Sequence, residues 1–361
     1  MKYALIGCGR ISPNHIAAAL ANNLDIVGIC DILPSNMEIL QNKFQLADNK
    51  IRKYTDYKEM INDVQPELVA IATESGLHAE IALYCIKKGV NCIIEKPIAM
   101  NLKDARKICE EAKSKNVIVC ANHQNRFNKS IKKIQEAIEN NDFGKIFHAA
   151  AHVRWNRGKE YYDQAKWRGT WVNDGGCLMN QCIHNADLLR WLMGDEIDEV
   201  MAYTDNLNHE YIQAEDLGLA IIKFKNGSYG LFEGTVNVYP KNLEETLYIF
   251  GSKGTVKAGG KSVNLIEEWD FANRFEDSDI VKKENSESPK SVYGFGHTPL
   301  YADVKYAIEN NTKPLVDAEA GTRALELILA IYQSAASGKP VKFPLGDEIS
   351  TTDFEGRFDH D

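Results

Sequence analysis

The sequence has no apolar run approaching the roughly 20 residues that a membrane helix needs. Its start, MKYALIGCGRIS, goes directly into a strand-like run and lacks the anatomy of a cleavable secretory signal. A cytoplasmic protein with no membrane partner is therefore expected. Positive charge is not in excess: 42 Lys and Arg stand against 51 Asp and Glu, a net charge of −9. That balance excludes nucleic acid as an electrostatically captured partner. Cysteine is sparse, and its eight positions, 8, 30, 85, 92, 109, 120, 177 and 182, form no CxxC pair. Reduced structural thiols are expected. Cys177, Cys182 and His184 lack the tight, paired spacing of a zinc site. His148 and His152 have no third ligand nearby in sequence, so no metal is expected. Internal repeats are absent.

What is present is a 361-residue chain, 44% hydrophobic and 26% charged, long enough for two globular domains. In the first third, short β-rich runs (Tyr3 to Ile6, Asp25 to Cys30, Leu68 to Ala72, Asn91 to Ile94, Val117 to Cys120) alternate with stretches of helical periodicity. These are Pro13 to Ala21, a helix starting near Pro34, His78 to Lys88 and Leu102 to Ser114. Such alternation implies parallel strands joined by right-handed crossovers, a doubly wound α/β sheet. Beyond residue 121 the pattern changes. A helix over Lys129 to Asn140 is followed by strand-like runs at Lys145 to Val153, Ile197 to Asp205, Leu217 to Lys225, Ser228 to Val238 and Thr246 to Phe250. Asn226-Gly227 is a hairpin turn between two of them. Successive strands without intervening helices predict an α+β domain with a largely antiparallel open sheet flanked by helices. Residues 267–290 read as a polar loop, Ala318 to Ala336 as a helix, and the acidic tail after Gly346 as frayed. The expected domains are 1–121 and 122–361.

The first turn carries Gly7-Cys8-Gly9-Arg10-Ile11-Ser12. A dinucleotide pyrophosphate needs a tight turn, close backbone approach and a helix N-terminus aimed at it; Gly7 and Gly9 supply the first two. Ser12 stands where Gly or Ala is usual. Asp31 lies at the end of the second strand, where a carboxylate bonds both ribose hydroxyls of NAD and repels a 2′-phosphate. No Arg or Lys occurs from Ile32 to Glu38 to receive that phosphate. A Rossmann domain selective for NAD is expected.

Glu95-Lys96-Pro97, directly after a strand, extends this pattern. Together with GCGRIS, ATESGLHAEIALYCIKKGVNCIIEKPIA, HQNRF and a GG-x-x-x-N-x-x-x-H region, it resembles the glucose-fructose oxidoreductase, inositol dehydrogenase and rhizopine-catabolism family over nearly the whole chain. WNRGKEYYDQAKWRGTW (155–171) and DGGCLMNQCIHNADLLRWLMG (174–194) are similar to the UDP-N-acetyl-2-amino-2-deoxyglucuronate 3-dehydrogenases within it. Glu74 and Ser75 replace the Pro-Asn common in the family, and Cys177 interrupts a run of small residues.

The resemblance implies cofactor contacts from Gly7, Gly9, Arg10, Ile11, Asp31, Thr73, His78, Glu95 and Lys96, and proton transfer by Lys96 and His184. Asp187 is a charged neighbour of His184, read as structural. Residues 145–168 hold six cations against Glu160 and Asp163, a +4 patch interleaved with Trp155, Tyr161, Tyr162 and Trp167 and followed by Trp171. Such a patch offers aromatic faces to a base or sugar and cations to phosphates and a carboxylate. Arg126, Arg154, Arg157, Tyr161, Tyr162, Trp167, Arg168 and Asn180 are its candidate substrate contacts. The activity implied is NAD-dependent oxidation of the C3 hydroxyl of a UDP-linked N-acetylamino uronic acid in surface-polysaccharide nucleotide-sugar biosynthesis, with 2-oxoglutarate recycling the cofactor. A homo-oligomer, in the form of a tetramer, is also implied. A dehydrogenase of a free polyol or sugar, and a non-catalytic NAD-binding sensor, are the alternatives.

Overall fold

The computed structural model describes residues 1–46, 51–272, 276–289 and 292–359. They divide into two compact units, Met1–His123 with His297–Thr322, and Gln124–Gly296 with Arg323–Asp361. The division after 123 falls two residues beyond the expected boundary. Residues 297–322 differ from the expectation, joining the first unit although they lie far along the chain.

The first unit holds β1 (Lys2–Ile6), β2 (Asp25–Cys30), β3 (Arg52–Tyr54), β4 (Leu68–Ile71), β5 (Asn91–Ile94) and β6 (Val119–Ala121). They form one all-parallel sheet in the order β3-β2-β1-β4-β5-β6. The helices α1 (Ser12–Ala21), α2 (Pro34–Phe44), α3 (Tyr57–Val64), α4 (His78–Lys87) and α5 (Leu102–Lys115) cover it. Strand order reverses between β1 and β4, which opens the crevice at their carboxyl ends where doubly wound sheets take ligands. β4 is buried at all four positions, as a strand covered on both faces must be. α5 starts where the Asn101 side chain accepts the Asp104 N–H at 2.7 Å and ends at left-handed Asn116.

The second unit contains α6 (Lys129–Glu139), β7 (Ile146–Arg154), α7 (Lys159–Tyr162), a π-helical turn over Leu178–Cys182 and α8 (Ile183–Leu192). β8 (Ile197–Asp205), β9 (Leu217–Phe224), β10 (Tyr229–Thr235), β11 (Glu244–Gly251), β12 (Gly254–Gly259), β13 (Leu265–Phe271) and β14 (Val341–Lys342) complete its sheet. The order is β13-β12-β11-β7-β10-β9-β8-β14, antiparallel except for β7 beside β10. α9 (Ser278–Glu284) belongs here, α10 (His297–Asn310) packs on α1 in the first unit, and α11 (Ala318–Ser337) follows.

Two expectations need correction. The polar segment from 267 belongs to edge strand β13 and to α9; of the range 267–290, residues 273–275 and 290 lie outside the described residues. Only Ile266 and Trp269 of β13 are buried, and Glu267, Glu268 and Asp270 keep that edge charged. The tail after Gly346 is docked, not frayed, through residue 359; residues 360 and 361 lie outside the described residues. The Thr351 hydroxyl donates to Trp171 O at 2.6 Å, and the buried ring of Phe354 sits 5.8 Å from Trp171 and 5.4 Å from Tyr332.

Within the sheet, Phe232, Gly234 and Val236 face the interior; a Cβ on Gly234 would meet Leu178 and Cys182 at under 3 Å. The opposite face exposes Tyr203, Leu219, Ile221, Tyr229 and Leu231.

Candidate active site

In the first unit the turn after β1 is shaped by Gly7, whose φ is +92° and where a Cβ would sit 2.4 Å from Ala72 O. Only glycine fits. A Cβ on Gly9 would meet nothing within 4 Å, so the backbone there borders open space at the start of α1. Ile11, at the N-cap of α1, provides no side-chain cap, and Ser12 is buried with its hydroxyl donating back to Gly9 O at 2.6 Å. This is the cradle a diphosphate requires. Asp31 is held ready by three donors: Cys8 N and Leu33 N, each at 2.8 Å, and Asn36 Nδ2 at 3.2 Å. Replacing Asp31 by Ala removes the anion that discriminates against a 2′-phosphate. NAD(H) is expected to bind at least tenfold more tightly than NADP(H) to the native protein, of the order of one charged hydrogen bond. That gap should narrow in Asp31→Ala, as read by fluorescence titration.

His78 and Glu95, two of the expected cofactor contacts, also make hydrogen bonds within this unit. His78 is fully buried. Its Nδ1 lies 2.7 Å from Pro97 O and its Nε2 3.2 Å from Thr73 O, so it ties the ends of β4 and β5 together. Burial holds its pKa below the ordinary value despite these bonds. Glu95 accepts from His15 and Asn122 inside the unit. Lys96 beside it is half-buried.

In the second unit the π-turn Leu178–Cys182 leads directly into α8, which carries His184 in its first turn. π-turns inside helices are recurrent at functional positions. A single α-helix through this stretch would set Asn180 and His184 one turn apart; the wider π-turn alters that spacing. His184 is half-buried, and Gln124 Nε2 lies 3.5 Å from its Nε2. The Asn180 amide donates to Asp174 Oδ1 and its Oδ1 accepts from Gln181 Nε2 at 2.6 Å. Gln181 Nε2 also reaches Tyr161 OH at 2.8 Å, and Arg168 donates to the same oxygen. Arg157 and Arg168 both lie over the Tyr161 ring, 5.2 and 4.2 Å from its centroid, and Arg168 is 4.7 Å from that of Trp167. Tyr161, Trp167, Arg157, Arg168 and Asn180 therefore belong to one half-buried part of this unit, and half-buried His184 follows Asn180 across the π-turn. Asp174, Gln181 and Gln124 were missed. Asp174 stands beside the glycine pair and Gln181 beside Asn180 in sequence, but only the fold shows which polar atoms they satisfy.

Other members of the +4 patch are elsewhere employed. Arg154 bonds Glu233 at 2.8 and 2.5 Å and Glu244 at 2.6 Å, acids from strands far along the chain that the local charge count omitted. Arg126 is 2% exposed and makes a bidentate pair with Asp187 at 2.7 and 2.6 Å while stacking on Trp191. Tyr162 is buried against His209 and Tyr211, and Trp155 and Trp171 are buried as well. Arg126, Arg154 and Tyr162 thus also take part in the framework of this unit.

The π-turn has a buried carboxyl at its start. Glu215 accepts Leu178 N and Tyr332 OH at 2.9 and 2.8 Å, and a Cβ on Gly176 would collide with it. Burial pushes Glu215 up to about 8 against the pull of these bonds, and burial alone takes Glu245 to about 8. Both carboxyls hold protons in the folded state that the unfolded chain releases near 4.5. Their contribution to stability is complete below that value and is lost as pH rises toward about 8. Urea midpoints should therefore fall between pH 5 and 8, and Glu245→Gln should flatten the slope; an unchanged slope would refute the assignment.

With this geometry in view, family models match the chain twice: the NAD-binding Rossmann fold of the GFO_IDH_MocA oxidoreductase family over residues 1–123, and its C-terminal alpha/beta domain over 135–343. The chain belongs to the GFO/IDH/MocA oxidoreductase family. As a member it is an NAD-dependent dehydrogenase, and the open space at Gly9 and the ordered Asp31 carboxylate fit that cofactor. Its fold matches the WlbA dehydrogenase from Bordetella pertussis, solved with NADH and UDP-GlcNAcA, at 36% identity and a TM-score of 0.88, covering 96% of this chain and 98% of that one. The WlbA dehydrogenase from Chromobacterium violaceum, with the same two ligands, matches at 34% identity and a TM-score of 0.86, covering 96% of each chain. Myo-inositol 2-dehydrogenase from Thermotoga maritima is 27% identical over 358 residues, 95% of this chain and 98% of that protein. Among the described residues of this GFO/IDH/MocA member, no helix is long and apolar enough to cross a membrane.

Proposed function

We propose that this dehydrogenase oxidises the C3 hydroxyl of UDP-N-acetylglucosaminuronic acid to a 3-keto sugar, as a step in making nucleotide sugars for surface polysaccharide. The observation that carries the reading is the similarity, at 36% and 34% identity over 96% of the chain, to two dehydrogenases solved with NADH and UDP-GlcNAcA. The stack of Arg157 and Arg168 on Tyr161 supports it, because such a substrate brings two diphosphate charges and one carboxylate that need cationic partners.

Bound NAD supplies the hydride acceptor. Gly7, Gly9, Arg10, Ile11, Asp31 and Thr73 hold it, and His78 and Glu95 support that site from behind. Lys96 and His184 take and relay the hydroxyl proton, a role that an amine and an imidazole can both fill. Arg157, Arg168, Trp167, Tyr161 and Asn180 bind the nucleotide sugar. The exposed apolar sheet face with Tyr203, Ile221 and Leu231 pairs with a second copy in a homo-oligomer, a tetramer. The cofactor stays bound between turnovers and 2-oxoglutarate reoxidises it.

The test is single-turnover reduction of bound NAD with product analysis. UDP-N-acetylglucosaminuronic acid should reduce it. Neutral UDP-N-acetylglucosamine should be at least about tenfold poorer, because a buried charged hydrogen bond contributes about 1.5–3 kcal/mol. Free myo-inositol should be almost inert. Reduction by inositol and not by the uronic acid would overturn the reading in favour of a polyol dehydrogenase, which the inositol dehydrogenase relative favours.

A further inference from the structure

Behind the Glu95-Lys96-Pro97 turn, the first unit buries a polar cluster drawn from four elements. His15 comes from α1, Glu95 from the end of β5, Asn122 from just past β6 and His297 from the start of α10. His15 Nε2 lies 2.9 Å from Glu95 Oε1, and its Nδ1 lies 2.7 Å from Tyr301 OH, which meets Tyr3 OH at 3.0 Å. Asn122 Nδ2 donates both to Glu95 Oε1 and, at 3.1 Å, to His297 Nε2.

These distances determine where the protons sit. An amide NH2 only donates, so His297 Nε2 must carry a lone pair, and its ring is neutral. Burial likewise holds His297 below the ordinary value, despite Glu95 nearby. Glu95 Oε1 faces two N–H donors, so His15 Nε2 bears a hydrogen. Burial alone would raise Glu95, yet the hydrogen bond from His15 holds it well below the usual carboxylate range.

Ligand atoms of His15, Glu95 and His297 all fall within 4.8 Å of one another, as they would around a metal ion. The Asn122 amide stands among them, however, and already bridges Glu95 and His297. That bridge occupies the lone pairs a metal ion would need on Glu95 Oε1 and His297 Nε2, while Asn122 Oδ1 is buried without a hydrogen-bond partner.

The second carboxylate oxygen is free of that clamp. Glu95 Oε2 accepts the backbone N–H of Lys96 at 3.3 Å. Burying an anion with its partners is costly, and an apolar cluster would hold the same helices at least as well. We propose that Glu95, fixed by His15 and Asn122 with His297 behind them, is a positioning residue that sets the backbone of Lys96 and so the aim of its ammonium at the reacting hydroxyl. This rests on the assignment of Lys96 to proton transfer made above. The titratable groups around Glu95 are His15, His297, His78 and Lys96, with Tyr301 beyond His15.

Glu95→Gln separates this role from folding. Two donors at Oε1 force the amide oxygen of the glutamine to that side and leave its NH2 facing the Lys96 N–H. Only the grip on Lys96 and the charge are lost. Measured as reduction of bound NAD by UDP-N-acetylglucosaminuronic acid in the full-length protein, the single-turnover rate should fall by about 10- to 100-fold, the range of a misaimed catalytic group. The dissociation constants for NADH and for the nucleotide sugar should stay within about threefold, since neither ligand loses a direct partner. Should Glu95→Gln fail to fold, His15→Leu should also slow the reaction, and His15→Gln, which keeps an N–H for Glu95, should recover part of the rate.

Lys96→Ala run in parallel separates the two claims. If it is slow while Glu95→Gln keeps the wild-type rate, the positioning role is wrong and the reading of Lys96 stands. If Lys96→Ala is itself as fast as wild type, both fall. One equivalent of zinc in the purified protein, lost together with activity in His297→Ala, would replace the hydrogen-bonded cluster by a metal centre and also overturn the proposal.

Discussion

Lys96→Ala and His184→Ala are each expected to bind NAD normally and to lose turnover by a factor of about 10² or more, the usual cost of removing a general acid–base group. Each side chain is only half-buried in its own unit: Lys96 in the turn after β5, and His184 in the first turn of α8. Their truncation should therefore leave the thermal midpoint nearly unchanged. The readout is single-turnover reduction of bound NAD beside an NADH titration. Either variant remaining within a few-fold of wild type would remove that residue from the proton-transfer step. The double variant should be little slower than the worse single one, because groups acting in one step are not additive.

Asp187→Ala should produce the largest loss of stability. Its carboxylate pairs with Arg126 at 2.6 and 2.7 Å, with side-chain exposures of 0% and 3%. Removing the carboxylate takes the bidentate ion pair from a buried guanidinium, a change that typically costs about 3–5 kcal/mol. Replacing both, as Arg126→Met with Asp187→Leu, should cost much less, since no charge is then stranded. Urea denaturation distinguishes the cases. If the single variant loses under about 1 kcal/mol, the pair is not the structural tie described. Asp187 lies three residues after His184 on the same helix, so this loss should also weaken activity through α8.

Local pattern determined much of this protein. The β-α alternation with Gly7, Gly9 and Asp31 follows from short-range constraints: a positive φ, an approach too close for a Cβ, and a carboxylate at a strand end. Each is visible in a few consecutive residues, so the parallel sheet and the choice of NAD as cofactor were legible without coordinates. The strands of the second unit were readable where their alternation is strong. β13 was not, because an edge strand carries charge on its open side and so reads as loop.

Partnership was not legible. Arg154 and Arg126 look like free cations in a local count, but Glu233, Glu244 and Asp187 reach them from 61 or more residues away and cancel their charge. The docked tail depends on Trp171 and Tyr332, distant in sequence. The cluster around Glu95 is the clearest case. His15, Asn122 and His297 span 282 residues of chain, and only the return of α10 to the first unit brings them to one carboxylate. Motif spacing reports what a backbone must do locally. Which buried polar group satisfies which is decided by desolvation, and that cost exists only once the chain has folded.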